Sequence, residues 1–481
     1  MNMKYKLNKK LSFSSLGLIA LAFCFTGCER EVSDDAVLAS YPKVGDIFTD
    51  APIGLTDAFF ESFDPATGAN TNGFGTDNNT AYAGNTSIRI DVPASNDPNG
   101  GYIGGIFRDR GAGRNLTGYD ALTFWAKGST TANFEAGFGL DFAENKYAVT
   151  TVVQLSTTWT KYVIPIPDAS KLTQEKGMFI FAAGTNSTNG LGYTFWIDEL
   201  RFEKVGNTAL VNPFIFNGNE RTADGFVGGN QFISQIGAIY NLSNGQNISI
   251  NAAPSYFNFS SSNTSVTGPF QLNNIGQMYT TVIGSSGTAV ITATLGDAIA
   301  QGSLTINALG NFPNAPVPTR PSSNVISIFS DAYLNVPVNY YNGYWQPWQT
   351  TLSADFSVNG DHILNYINYN FVGIEFSSPT VNATNMTHFH ADFYFPDPIA
   401  PGRQLRVLVV DFGADGVFGG GDDTRHSTTF TAPTLVSQNW VSIDIPFSAM
   451  PNLASRSNLA QIIFEGGDNT TLWVDNIYFY N

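Results

Sequence analysis

The sequence predicts an all-β protein in which one β-sandwich module of jelly-roll type occurs twice, on either side of a different β block. Three observations predict it. Of 481 residues only 13% are charged, while 14% are aromatic and 47 are glycine, a composition that suits strands and turns better than amphipathic helices. Segments such as 86–92, 121–127, 161–166, 405–411 and 441–445 alternate with period two and are separated by Gly, Pro, Asn and Asp. Three distant blocks recur in one order, the mark of a duplicated fold.

Apolar residues make up 43% of the chain, enough for packed cores, so a disordered chain is excluded. Lys and Arg number 23 against 39 Asp and Glu, a formal charge of −16. That excess argues against a nucleic-acid partner, which calls for a basic patch or stripe.

The N-terminus carries Lys4, Lys6, Lys9 and Lys10, then an apolar run over 11–25, then Gly27-Cys28. A basic region, a short apolar core and small residues at a cut site make a secretory signal peptide over 1–27. The run is shorter than the roughly 20 residues of a membrane span. Gly27-Cys28 resembles the bacterial lipobox, although Phe25 stands where that motif prefers Leu. The resemblance implies acylation of Cys28. Cys24 then leaves with the signal, and the mature chain keeps no free thiol. Loss of four lysines and no acid takes the charge from −16 to −20. Residues 28–49 read as a tether, and the acidic stretch from Glu29 to Asp35 is similar to the surface-export signal of Bacteroidota lipoproteins.

The repeated blocks define the two copies, 50–205 and 322–481. Trp159-Thr-Lys-Tyr-Val-Ile-Pro165 is echoed by Trp440-Val-Ser-Ile-Asp-Ile-Pro446. Trp196-Ile-Asp198 is echoed by Trp473-Val-Asp475, and Met178-Phe-Ile-Phe-Ala-Ala-Gly184 by Gln461-Ile-Ile-Phe-Glu-Gly-Gly467. Aromatics present in both copies, Trp159/Trp440 and Trp196/Trp473, are therefore expected to serve the shared fold.

The block 207–308 differs. Its Ser260-Ser-Ser-Asn263 turn and Gly287-Thr-Ala-Val-Ile-Thr-Ala293 resemble a group 2 bacterial immunoglobulin-like domain, which implies a third sandwich between the jelly rolls. In 309–321, Pro313, Pro316, Pro318 and Pro321 predict a stiff, extended linker.

Asn324-Val-Ile-Ser-Ile-Phe-Ser-Asp-Ala-Tyr333 together with Trp473-Val-Asp-Asn-Ile-Tyr-Phe479 resembles the ends of a Bacteroidota jelly-roll module found on family 16 laminarinases and on surface glycan-binding lipoproteins. With the lipobox and the immunoglobulin-like spacer, the chain resembles the glycan-binding lipoproteins of polysaccharide utilisation loci. That resemblance implies an outer-membrane, lipid-anchored protein facing the cell exterior. It implies a polysaccharide ligand, with laminarin, a β-1,3-glucan, as the usual class. It also implies a porin-type transporter and a companion glycan-binding lipoprotein as partners, and a structural calcium. The calcium positions it points to are Asp475 with Asp331, and Asp198 with Glu61; capping of turns by these acids is the alternative.

Sugar rings stack on aromatic faces while a few polar groups fix their orientation. Tyr341, Tyr344, Trp345 and Trp348 lie in a segment broken by Gly343 and Pro347, too aromatic to point into one core. They are candidates for a sugar platform, or for a loop capping the sandwich. Strand alternation places Trp125 on the face opposite Leu122, Phe124 and Ala126. On the matching strand His390 and Asp392 share that outward face, which suits a glycan groove or simple solvent exposure. Two histidines, His388 and His390, with Asp392 make a weak transition-metal set.

Family 16 hydrolases place their carboxylates in Glu-x-Asp-x-x-Glu on one strand, and no such run occurs here. A Gly-x-Ser-x-Gly elbow and a His-Glu-x-x-His pair are likewise missing. The expectation is a non-catalytic surface protein that captures a neutral glycan. A glycan-active enzyme with catalytic acids far apart in sequence, and a structural or adhesive lipoprotein, are the alternatives.

Overall fold

The computed structural model describes residues 40–54, 60–141, 146–206, 208–354, 357–358 and 360–481. The expected signal peptide, Cys28 and most of the expected tether lie outside the described residues. Among those residues the fold is all-β; the helices are three-residue 3-10 turns, and no helix is long and apolar enough to cross a membrane.

The same strand order occurs twice. In the N-terminal copy a first sheet runs Phe74–Asp77, Ser87–Val92, Tyr193–Glu203, Ala121–Gly128, Thr160–Pro165, with Asp46–Phe48 added on Tyr193–Glu203. A second sheet faces it, in the order Glu61–Ser62, Ile103–Arg108, Gly177–Ala183, Asn133–Phe138, Val149–Gln154. In the C-terminal copy the first sheet runs Leu352–Ala354, Leu364–Glu375, Leu459–Tyr480, His388–Tyr394, Trp440–Pro446, again with the entry strand Val325–Phe329 on the last-named long strand. Its second sheet uses the other halves of the two long strands, joined by Leu405–Asp411 and Thr424–Phe430. The long strands pass from one sheet to the other near Asn368, Gly466 and Asn469, which adopt positive φ where the register shifts. Bulges of this kind are how a strand turns a sandwich corner.

Period-two alternation fills each core. Leu122, Phe124 and Ala126 of the first sheet are fully buried and meet Phe134 of the second, while Phe393 and Phe464 meet edge-on at 5.0 Å in the other copy. The N-terminal entry segment is held by Arg114, whose side chain is 2% exposed. Its guanidinium pairs with Asp109 and donates to the carbonyls of Asp46 and Ile53, so a buried charge is both paired and hydrogen-bonded.

The middle block is not separate from the first copy. Val149–Gln154 pairs with Asn247–Ala252, and Gly237–Asn241 and Ala209–Phe214 continue the same sheet to eight strands. Thr151 Oγ1 donates to the Ser249 carbonyl at 2.7 Å across this seam, and one hydrophobic core runs from Ile47 to Ile306. The sequence boundary near residue 206 rests on a change of motif, but strand pairing ignores it. The remaining strands form a five-stranded and a three-stranded sheet, with Glu220–Gly225 parallel to Ser303–Ala308.

The Pro-rich segment does not reach outward freely. It lies on the C-terminal copy: Trp440 Nε1 donates to the Pro313 carbonyl, Asn476 Nδ2 to that of Pro316 at 3.1 Å, and Tyr333 Oη to that of Arg320 at 2.9 Å. The Arg320 guanidinium stands 3.5 Å from the Tyr480 ring centroid. Phe312 packs on Trp473 and on Phe226 of the middle block, in a small cluster with Ile363 and Tyr394. Proline lacks an N–H, so its free carbonyls are what the neighbouring side chains grip.

Candidate functional site

The aromatic segment 340–348 folds against the outer face of the second sheet in the C-terminal copy. In Leu364–Glu375, Val372 and Ile374 point into the core, so Phe371, Gly373 and Glu375 point out. Their partners across the sheet are Glu465, Ile463 and Gln461. Trp345 lies over this face: a Cβ on Gly373 would stand 2.3 Å from the indole Cη2. Phe371, Ile463 and Leu408 complete an apolar patch around the ring.

A polar network sits beside the indole. Trp345 Nε1 donates to Tyr340 Oη at 3.3 Å, and Tyr340 Oη donates to Glu375 at 2.7 Å. Gln461 Nε2 donates to the same carboxylate oxygen at 2.9 Å and Ser377 Oγ to the other at 2.7 Å. Burial pushes the Glu375 pKa upward, but these three donors outweigh it and hold the carboxyl below its usual range. Burial and the neighbouring carboxylate push the Tyr340 hydroxyl up to about 12. The face therefore joins an aromatic wall to a fixed, ionised hydrogen-bond acceptor.

Buried amides pin the loop. Asn342 and Gln349 are hydrogen-bonded to each other, Trp345 N donates to Gln349 Oε1 at 3.0 Å, and Asn370 Nδ2 donates to the Trp348 carbonyl at 2.8 Å. These bonds leave the Trp348 side chain projecting, 73% exposed, with Tyr344 beside it in sequence at 48% and φ +48°. Tyr341 behaves differently: half-buried, it donates to the Ile328 carbonyl and packs edge-on against Phe329, which makes it part of the sandwich rim.

The other predicted ligand residues lie elsewhere. His390 and Asp392 face outward from the first sheet, on the opposite side of the sandwich from Trp345, in a groove covered by Pro316–Pro321 and also lined by Ser442, Asp444 and Tyr478. His390 Nδ1 lies 2.9 Å from Asp444 and its ring stacks on Tyr478. Burial lowers the His390 pKa, yet bonds to Asp392 and Asp444 raise it overall. Asp392 itself accepts from Ser442 Oγ and Asn476 Nδ2. Trp125 stands on the first sheet of the N-terminal copy, with Tyr82 stacked flat on it at 3.8 Å. Period-two alternation places residues inside or outside a sheet but cannot tell which of two sheets a strand joins. Tyr82, Glu375 and Gln461 escaped sequence reasoning for the same reason: nothing local marks them as neighbours of a tryptophan.

Of the calcium pairs, one is brought together and one is not. Asp475 is 4% exposed, and burial with the charges of Asp361, Asp392 and Asp331 pushes its pKa up to about 7. An acid cluster suits a hard cation, but Asp331 is engaged by His362, whose backbone N–H donates to it at 2.7 Å and whose Nδ1 lies 3.2 Å away. Among the described residues no group of three His, Cys, Asp or Glu side chains is arranged as a metal-binding set. Glu61 lies in the second sheet, paired with Arg110 at 3.0 Å, and is not beside Asp198. The acid near Asp198 is Asp50. Both carboxylates there are occupied by backbone N–H groups, Asp198 by Tyr82 and Ala83 and Asp50 by Asn85 and Thr86, so this copy's acids serve as loop anchors.

Comparison with known proteins bears on the N-terminal copy. Residues 46–204 match carbohydrate binding domain 30. The match supports a carbohydrate-binding module in this part of the chain. Among solved structures, the chain is similar to a family 30 carbohydrate-binding module at 19% identity, covering 33% of this chain and 98% of that one, with a TM-score of 0.25. It is similar to the family 30 module of the cellulosomal cellulase Cel9D-Cel44B of Clostridium thermocellum at 20% identity, covering 34% and 98%, TM-score 0.24. A family 11 module from Clostridium thermocellum, solved with a β-1,3-1,4-mixed-linked tetrasaccharide, matches at 17% identity, covering 33% and 96%, TM-score 0.24. No curated protein matches the chain.

Proposed function

We propose that the protein is a non-catalytic cell-surface binder of a neutral polysaccharide, with a laminarin-type β-1,3-glucan favoured. The observation that carries this reading is the match of 46–204 to a carbohydrate-binding domain. The C-terminal copy adds a platform of the right chemistry: an indole over a sheet face, an exposed second tryptophan and an ionised acceptor on the sheet beside the indole. A mature charge of −20 disfavours anionic glycans, although salt screens the effect over a Debye length of about 8 Å at physiological strength. In this proposal Cys28 carries the lipid that anchors the chain to the outer membrane, a calcium ion sits at Asp331 and Asp475, and the glycan passes to a porin-type transporter beside a companion lipoprotein.

Affinity electrophoresis against laminarin, mixed-linkage glucan, alginate and chitin tests it. Laminarin is expected to retard the protein with no release of reducing sugar, and Trp345→Ala and Trp348→Ala to weaken the retardation. Lack of a shift with every polysaccharide would overturn the reading. Normal binding by both variants would overturn only the C-terminal site.

A further inference from the structure

The two copies put tryptophans at the same outward positions of the first sheet, and the chain treats them differently. In the C-terminal copy Trp473 packs on Phe312, Phe226 and Tyr394, and Trp440 on Phe312 and Tyr394, so that face is sealed by the middle block and the linker. In the N-terminal copy Trp159 and Trp196 are half-buried, and among the described residues no ring from another part of the chain covers them as Phe312 and Phe226 cover their counterparts. Instead the 78–86 loop lays Tyr82 over Trp125 at an interplanar angle of 12°, with Trp159 against its edge at 6.0 Å. The Tyr82 ring is the exposed layer, at 42%.

This stack is rigid. Asp198 accepts from the Tyr82 and Ala83 N–H groups at 2.8 and 3.1 Å, and Asp50 accepts from those of Asn85 and Thr86 at 2.7 and 2.9 Å. Asp198, the acid of the repeated Trp-x-Asp block, and Asp50 thus hold the loop that carries the ring. Of the charges nearby, Arg89 pairs with Asp91 at 3.0 Å and Lys161 with Glu203, while Lys127 Nζ stands 5.9 Å from the Trp196 ring centroid. A face of fixed aromatic rings favours a ligand with flat C–H surfaces.

We propose that Tyr82, backed by Trp125 and Trp159, is a second glycan platform, independent of Trp345 and Trp348. It rests on the polysaccharide-binding reading above and deepens it. The N-terminal copy presents its platform on the first sheet and the C-terminal copy on the second, because the linker closes the first sheet of the latter. One chain therefore binds two short oligosaccharides, and a long glucan gains by avidity, typically a factor of about 10²–10⁴.

Calorimetry of the full chain with laminarihexaose tests the assignment. The wild type is expected to bind two molecules, Tyr82→Ala one and Trp348→Ala one, while Tyr82→Phe keeps two because stacking needs no hydroxyl. On long laminarin each alanine variant should lose at least about tenfold in affinity. Unchanged stoichiometry and affinity in Tyr82→Ala, with an unaltered melting temperature, would overturn the second site and leave the C-terminal one standing. A single wild-type site abolished by Trp348→Ala would do the same. No binding of the hexasaccharide or of laminarin by the wild type would overturn the parent reading as well.

Discussion

Gly373 and Trp345 share one volume: the space a side chain would take at Gly373 is filled by the indole, whose Cη2 lies 2.3 Å from the position of the missing Cβ. A strand pays for an interior glycine in rigidity, and here the glycine is what lets an aromatic ring lie flat on the sheet.

Gly373→Ala should displace Trp345. Overpacking of this kind costs about 1–3 kcal/mol. Denaturant unfolding is expected to show that loss, tryptophan fluorescence a red shift, and laminarin binding a decrease. The double variant Gly373→Ala/Trp345→Ala should recover most of the stability but not the binding. Additive losses in the double variant would contradict the contact.

Glu375 supplies a pH dependence. Its pKa is depressed in the folded protein, so its contribution is present above the unfolded carboxylate value and fades as pH falls through the folded one. Thermal melts between pH 6 and pH 3 should fall more steeply for the wild type than for Glu375→Gln. Parallel curves would count against the three-donor network.

Asp475 works in the opposite sense. With a folded pKa of about 7, it is protonated in the fold and ionised in the unfolded chain between about pH 4 and 7, so stability declines as pH rises through that window. The loss is at most about 4 kcal/mol at 1.36 kcal/mol per unit. In chelator at pH 7.5, Asp475→Asn should melt higher than the wild type. Calcium should raise the wild-type melting temperature and leave that of the variant unmoved; an equal rise in both would remove Asp475 from any cation site.

Phe312 and Trp440 fasten the linker. Phe312→Ala should cost about 3–5 kcal/mol of local packing and speed protease cleavage within 313–321. Trp159→Ala, at the position that matches Trp440 in the other copy, should leave that cleavage unchanged. Equal cleavage of wild type and Phe312→Ala would show that the carbonyl contacts alone secure the segment.

Much of this architecture is written locally. Alternation of Leu122, Phe124 and Ala126 against Thr123, Trp125 and Lys127 is enough to assign a strand and its inner face. The Trp159/Trp440 and Trp196/Trp473 pairs expose the duplication without coordinates. What one strand cannot encode is its neighbours. The family resemblance pairs Glu61 with Asp198, yet Glu61 lies opposite Ile106 in the other sheet. His390 and Trp345 are both candidate sugar contacts by residue type, and only the fold shows that they lie on opposite faces of one sandwich. Trp473 is structural, but its packing partners Phe226 and Phe312 come from outside its own module, which no periodicity within 322–481 could reveal.

The seam between Val149–Gln154 and Asn247–Ala252 also sets where the polypeptide tolerates division. A fragment ending near residue 206 would uncover the backbone of 148–150, which Asn251, Ala252 and Ala253 cover, next to Val152, already 63% exposed. Such a bare margin templates pairing with other chains. The smallest soluble piece containing the first sandwich is accordingly one that runs on through residue 308, and isolated expression of 50–205 should yield aggregates.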